Sequence, residues 1–297
     1  MSAPNQPTTP VRMILDTDTF NEVDDQFALS WAALDTDRFT LEAVTAAPFS
    51  NELADTPGRG MELSYEEIGR VLELCKRTDI PAYRGSTQYL ADMQTPVKSD
   101  AVDQIIERSK SGHLWVVAIG AITNVASALL ADPTLKDRLS VAWLGAHSSI
   151  HETHWEFNHQ QDIKASKVVF ESGVELAWFP CGGASSHLLT TTMELKSEVG
   201  GNNPLCDFLI DRFHDHVGDA NWQSKVLWDL APLVWLGGVE NGGTYRSTDR
   251  PIWNDVKPPM MRDDARGTPC LEALTFNRDA VFRAVFDVIG RKELQSN

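Results

Sequence analysis

Four aspartates, Asp16, Asp18, Asp24 and Asp25, fall within ten residues, between the apolar run Val11–Leu15 and a helical stretch opening with Gln26, Phe27, Ala28 and Leu29. Carboxylates crowded in this way repel one another unless protons or a cation relieve them. Hard cations such as Ca²⁺ take carboxylate and carbonyl oxygens as ligands. Part of the cluster has a simpler account, because Asp24 and Asp25 stand where a helix would start, and anionic side chains cap and stabilise that positive end. Asp16 and Asp18 would then be turn residues. Capping employs one or two carboxylates, however, and four are present. An EF-hand loop is excluded, since Phe20 falls on its third ligand position and Asn21 replaces its turn glycine.

The charge distribution sharpens the point. The 297-residue chain has 26 Lys and Arg against 42 Asp and Glu, a formal net charge of −16. So acidic a chain is a poor binder of nucleic-acid backbones or anionic membranes, which leaves small molecules, cations and proteins as partners. No basic residue lies between Arg12 and Arg38, where Asp16, Asp18, Glu22, Asp24, Asp25, Asp35 and Asp37 all fall. Of these, Asp35 and Asp37 read as ordinary surface charge. A D-x-D phosphohydrolase resembling the haloacid-dehalogenase type stays open, with Asp16 as nucleophile and Asp18 as acid/base. It wants a small residue where Phe20 stands, and it gives Asp24 and Asp25 no task.

The elements that must hold these residues alternate. Val11–Leu15, Leu41–Thr45, Ile80–Arg84, Leu114–Ile119, Leu139–Leu144 and Val174–Phe179 read as strands. Asp25–Leu34, Tyr65–Lys76, Ala101–Ser109, Asn124–Leu130 and Ile163–Ser172 read as helices between them. This spacing predicts an α/β fold, an open, mostly parallel, doubly wound sheet with helices on both faces and functional residues at the carboxyl ends of the strands. Further on, Pro204–His216 and Leu227–Gly237 read as helical and Gly242–Lys257 as strand and loop. No repeat or low-complexity linker divides the chain, so residues 11–297 are expected to form one elaborated domain behind a disordered lead-in, residues 1–10. Cys75, Cys181, Cys206 and Cys270 include no C-x-x-C pair, which argues against a zinc knuckle or disulfide framework and for a reducing compartment. With no secretory pattern at the amino terminus and no apolar run near the roughly 20 residues of a membrane span, a soluble cytoplasmic protein is expected.

The D-x-D, loop, D-D arrangement resembles the amino-terminal signature of the inosine/uridine-preferring nucleoside hydrolases. Three further segments are similar to that family in the same order. Val116–Ala128 carries its strand and G-x-x-T-N-x-A, with Thr123 and Asn124. Glu156, Phe157, Asn158 and Asp162 follow its E-F-N-x-x-x-D pattern, and Trp228-Asp229 fills the slot where it has His-Asp or Trp-Asp before a helix. The resemblance runs over roughly residues 11–236 and implies Ca²⁺-dependent hydrolysis of the N-glycosidic bond of ribonucleosides. It implies that Asp18, Asp25, Asp229 and the carbonyl of Thr123 ligate the Ca²⁺, with Asp18 also the general base. Asp24, Asn51, Glu156 and Asn158 would contact the ribose, and Trp228 would stack on the base, which leans the preference towards purines. Asp16 and Asn124 would support the ligands from behind. The relatives imply a homodimer or homotetramer. A divergent homologue binding ribosides or Ca²⁺ without turnover is the non-enzyme alternative.

The chain departs from the family pattern in four places. Five residues, Thr19–Val23, separate D-x-D from D-D, two more than usual. Asn51 follows Ala47-Pro48-Phe49-Ser50 where the family has G-N, Ile150 replaces an Asn before Glu156, and Pro96–Asp100 replaces a His- and Gly-rich stretch. A histidine group, His147, His151, His154 and His159, surrounds the Glu-Phe-Asn segment. His151 and His154 are one residue too close for H-E-x-x-H, so zinc-protease geometry fails. One of the group is a candidate proton donor to the leaving base.

Overall fold

The computed structural model describes residues 3–148, 151, 153–253 and 267–294. Ile150, Glu152 and the 254–257 part of the expected strand-and-loop segment lie outside the described residues. The first half of the chain alternates β1 (Val11–Thr17), α1 (Asp24–Leu34), β2 (Phe39–Ala46), α2 (Pro57–Leu74), β3 (Ala82–Tyr83), α3 (Asp100–Ser109), β4 (Leu114–Ala118), α4 (Thr123–Ala131) and β5 (Leu139–Leu144). Then come α5 (Phe157–Gln161), α6 (Ile163–Glu171), β6 (Glu175–Phe179), β7 (Leu189–Thr191), α7 (Thr192–Glu198), α8 (Pro204–Val217) and β8 (Ser224–Val226). The described chain closes with α9 (Leu230–Leu236), β9 (Gly243–Asp249), β10 (Pro269–Phe276) and α10 (Arg278–Ile289).

The main sheet has eight strands in the order β3-β2-β1-β4-β5-β6-β10-β9. All neighbours pair in parallel except β9, which runs antiparallel to β10 at one edge. Strands β4 and β5 are buried along their whole length, which is why they read as continuous apolar runs rather than as an alternation. One apolar cluster packs α1, α2, α8, α9 and α10 on one face of the sheet, and a second packs α3, α4 and α6 on the other. Helix α1 is enclosed between the sheet and α2, α9 and α10, so every residue from Asp24 to Ala33 is buried.

Several boundaries differ from the sequence expectation for physical reasons. Helix α2 starts two turns earlier than Tyr65: Thr56 caps it by accepting from Arg59 N at 3.2 Å, and Pro57 occupies its first position. Its Gly60 lies so close to the preceding loop that a Cβ would come within 2.0 Å of Phe49 O. The third strand shrinks to Ala82–Tyr83. Trp228 and Asp229 precede α9 rather than lying inside it. Asp35 is not surface charge: it is 3% exposed and accepts from Trp31 Nε1 at 3.0 Å, with Arg38 beside it. Residues 3–10 form no helix or strand, yet they lie against the domain, with Pro4 buried and Gln6 Nε2 donating to Trp235 O at 2.9 Å.

Candidate active site

A cleft of about 280 Å³ opens where β1, β4, β5 and β6 end, and its wall includes Asp18, Asp24, Asp25, Asn158, Trp228 and Asp229. Strand order runs outwards in both directions from the β1/β4 pair, and open α/β sheets take ligands at such a switch point. β1 supplies Asp16 and Thr17, the following loop supplies Asp18, the start of α1 supplies Asp24 and Asp25, and the residue before α9 is Asp229. The Asp18–Asn21 turn closes through Asn21 N on Asp18 O at 2.7 Å. Gly120, after β4, is demanded by space, since a Cβ there would sit 2.7 Å from Asp18 Oδ1.

Asp24, Asp25 and Asp229 each place a carboxylate oxygen within 4.8 Å of the others, and all three are buried. Asp18 belongs to the same electrostatic group. Burial first, then the charge of Asp25, with Glu22 and Asp24 adding, holds its carboxyl well above the usual range. Burial and Asp24 push Asp25 up to about 7, and burial with Asp24, Asp25 and Asp18 raises Asp229. Thr17 Oγ1 donates to Asp25, whereas Asp18 Oδ2 and Asp24 Oδ1 have no hydrogen-bond partner. Buried oxygens left in this condition cost free energy unless protons or a cation satisfy them. Hard, anionic oxygens in a closed group are the donor set that suits Ca²⁺ or a similar ion.

Asp24 is held at the edge of this group. Its Oδ2 accepts from Trp228 N at 3.0 Å and its Oδ1 lies 3.7 Å from Lys225 Nζ. Lys225 also pairs with Glu22 from the lengthened loop. Burial pulls the Lys225 ammonium down, but Asp24 and Glu22 together raise it above its ordinary range.

Asp16 faces away from the cleft. Its Oδ1 accepts from Thr45 Oγ1 at 2.6 Å and Asn124 Nδ2 at 2.8 Å, and burial raises its pKa to about 6 against those two bonds. Asn124 in turn accepts from Ser86 N and Oγ, both at 2.8 Å, so the pair ties β1, β2 and α4 together. A nucleophile would need to face the cleft, which removes the phosphohydrolase role of Asp16. Thr123 Oγ1 donates to Asp162 Oδ2 at 2.9 Å, and its side chain is outside the cleft wall.

Glu156 and Asn158 line the cleft but serve the backbone as well. Glu156 caps α5, accepting from Asn158 N, His159 N and Ala146 N at 3.0, 3.2 and 2.7 Å. Asn158 Nδ2 donates to Ile119 O and Leu144 O at 3.0 and 3.1 Å, joining the ends of β4 and β5. Asn51 is outside the wall: its Nδ2 donates to Asn21 Oδ1 at 2.8 Å, and Asn21 from the lengthened loop reaches the cleft instead. Asn21, Glu22, Trp155 and Lys225 are the functional candidates that sequence reasoning passes over. Only Asn21 and Glu22 carried a signal, their place in the inserted loop.

The family model described as inosine-uridine preferring nucleoside hydrolase matches residues 13–236. Among solved structures, a purine-preferring ribonucleoside hydrolase from Gardnerella vaginalis is similar, with a TM-score of 0.73 at 20% identity, over 95% of this chain and 98% of that one. An inosine-guanosine nucleoside hydrolase matches with a TM-score of 0.74 at 18% identity, over 94% of this chain and 98% of that one. A plant nucleoside hydrolase matches with a TM-score of 0.71 at 17% identity, over 95% and 99%.

Proposed function

The chain belongs to the inosine-uridine preferring nucleoside hydrolase family, and from that premise we propose that its cleft hydrolyses purine ribonucleosides to ribose and free base with Ca²⁺ as cofactor. The observation that carries the reading is the buried carboxylate group at the switch point, in which Asp18 Oδ2 and Asp24 Oδ1 lack a hydrogen-bond partner. Asp25 and Asp229 are the proposed side-chain ligands, with Asp18 and the Thr123 carbonyl completing the set by motif. A divalent cation bound there neutralises the carboxylates, draws in water and sugar hydroxyls, and makes that water easier to deprotonate.

The remaining tasks fall to the chain. Asp18, which lines the cleft beside the other carboxylates, accepts the proton of the attacking water. Asp24, fixed by Trp228 N and Lys225, offers its carboxylate to a ribose hydroxyl. Asn158, its amide committed to Ile119 O and Leu144 O, turns its Oδ1 to the sugar. A sugar hydroxyl left unpaired in such a site costs about 1–3 kcal/mol, so these contacts favour riboside over water. Trp228 and Trp155 line the cleft and supply aromatic faces for a purine. We take residues 11–297 as the single domain that carries this activity.

The test is release of reducing sugar from inosine and from uridine, with and without chelator and with Ca²⁺ added back. The reading expects inosine to be preferred by about tenfold or more, activity lost with chelator and restored by Ca²⁺. Chelator-resistant phosphate release from an aryl phosphate would overturn it, as would tight riboside binding without turnover.

A further inference from the structure

Among the described residues the cleft wall carries one imidazole, that of His147, together with Leu144, Trp155, Phe157 and Cys181. The turn that aims it is unusual. Ala146, directly before it, has φ +60°, a left-handed conformation that costs a residue with a Cβ about 1 kcal/mol or more and persists only where the surroundings enforce it. The enforcement is visible on both sides: Ala146 N donates to Glu156 Oε2 at 2.7 Å, and Ala146 O accepts from Cys181 N at 3.0 Å. His154 Nδ1 bonds the His147 carbonyl, and the His151 ring lies 5.0 Å from the His147 ring.

The backbone also fixes which ring nitrogen carries the proton. Gly182 N donates to His147 Nδ1 at 3.1 Å, so Nδ1 is an acceptor and the proton of the neutral ring sits on Nε2. Gly182 is needed for this contact, since a Cβ would come within 2.7 Å of both His147 Nδ1 and His151 Nε2. We infer that His147 presents its Nε2–H as a hydrogen-bond donor to the departing base, a catalytic contact that rests on the riboside reading of the cleft.

Burial, with His151 and His154 nearby, holds His147 below the ordinary imidazole range. Among the described residues, His151 and His154 are the titratable groups facing it, and Cys181 and Glu156 stand on the neighbouring elements. The ring therefore works as a neutral donor rather than as an acid. As the C1′–N bond breaks, its electron pair leaves with the base, the hydrogen bond from Nε2 stabilises the charge that gathers there, and His147 keeps its proton. Solvent protonates the base afterwards.

The Ca²⁺-supplied enzyme with inosine and with p-nitrophenyl β-D-ribofuranoside separates the roles, because nitrophenolate departs without help. His147→Ala should lose about 10²-fold in kcat/KM on inosine while staying within about threefold on the nitrophenyl riboside, which also reports that the variant is folded. His147→Gln, which retains an N–H near the Nε2 position, should recover at least about tenfold of the loss. Equal losses on both substrates in both variants, or no loss on inosine, would overturn the inference. If the parent enzyme cleaves neither substrate, the riboside reading fails and the inference with it.

Discussion

Two ends of this molecule bury titratable groups at comparable depth and resolve the cost in opposite ways. At the switch point, Asp18, Asp24, Asp25 and Asp229 are 1 to 4% exposed and repel one another. Beyond the cleft, His154 and His159 are equally buried, packed against Trp178 and Trp253, with His159 4.4 Å from the Trp253 ring. An imidazole escapes its penalty by losing a proton, and burial accordingly lowers His159 to about 3. A carboxylate escapes only by gaining one, or by finding a cation. The imidazole end stays neutral even though both His159 ring nitrogens lack a hydrogen-bond partner, whereas the carboxylate end, with Asp18 Oδ2 and Asp24 Oδ1 unpartnered, calls for protons or the proposed cation.

The largest expected effect tests that asymmetry. Asp229→Asn should abolish hydrolysis, by on the order of 10³-fold or more, yet leave the chelated protein as stable as the parent or more so, because one repelling charge is gone. Calorimetry in chelator checks it, and marked destabilisation of the chelated variant would show that the carboxylates support each other without a cation. Next in size, saturating Ca²⁺ at about 1,000 times its Kd should add about 4 kcal/mol. For a chain of this length that is a rise in Tm of roughly 6 °C. The rise should be absent in Asp229→Asn, and a similar rise there would place the stabilising ion elsewhere.

pH sharpens the comparison further. Asp16 and Asp25 have folded values raised to about 6 and about 7 from 3.8. Their contribution is therefore fully present below about pH 4 and is lost as pH rises through 6 to 7. For His159 the folded value lies below the unfolded 6.5, so its contribution is present above about 6.5 and is lost as pH falls towards 3. The chelated protein should lose Tm as pH rises through 6 to 7, and added Ca²⁺ should flatten that limb. His159→Phe should flatten the acid limb alone. If Ca²⁺ leaves the alkaline limb unchanged, the raised carboxylates are not the group it meets.

Legibility in the sequence follows the range of the interactions. Strands such as Leu139–Leu144 are legible because burial on both faces writes an apolar run, and their match to β5 is complete. The first turns of α2 are hidden by Gly58 and Gly60, whose lack of a side chain makes room for Thr87 and Phe49. β10 and α10 carry no catalytic motif, but α10 has local signals in its Asn277 cap and the helical spacing of Val281, Phe282, Val285, Val288 and Ile289. The aspartate cluster is legible because crowded charge is a local property. Asn21 standing before Asn51, and the orientation of His147 by Gly182, exist only after folding. Asp35 misleads for the same reason, since its Trp31 partner is one helical turn away but buried with it.

The smallest effect concerns Lys225, the cation that among the described residues lies beside the carboxylate end. Lys225 Nζ lies 3.7 Å from Asp24 Oδ1 at a side chain 11% exposed, paired also with Glu22 at 42%. Charges at that separation couple by up to about 4 kcal/mol at an effective dielectric near 20. Salt, the exposed Glu22 and relaxation reduce what is measured. Lys225→Met keeps the stem and removes the charge. Asp24 then turns its full negative charge on the neighbouring Asp25 and Asp229, so Ca²⁺ should bind a few-fold more tightly. Asp24 also loses one of its two anchors, so the KM for inosine should rise by about three- to tenfold with a smaller change in kcat. Calcium titration and steady-state kinetics on the same variant read both. Weaker Ca²⁺ binding together with an unchanged KM would mean that Lys225 orders the lengthened loop through Glu22 instead of tuning Asp24. The carboxylate end would then rely on the proposed ion alone for relief, in contrast to the imidazole end, which neutralises itself by losing protons.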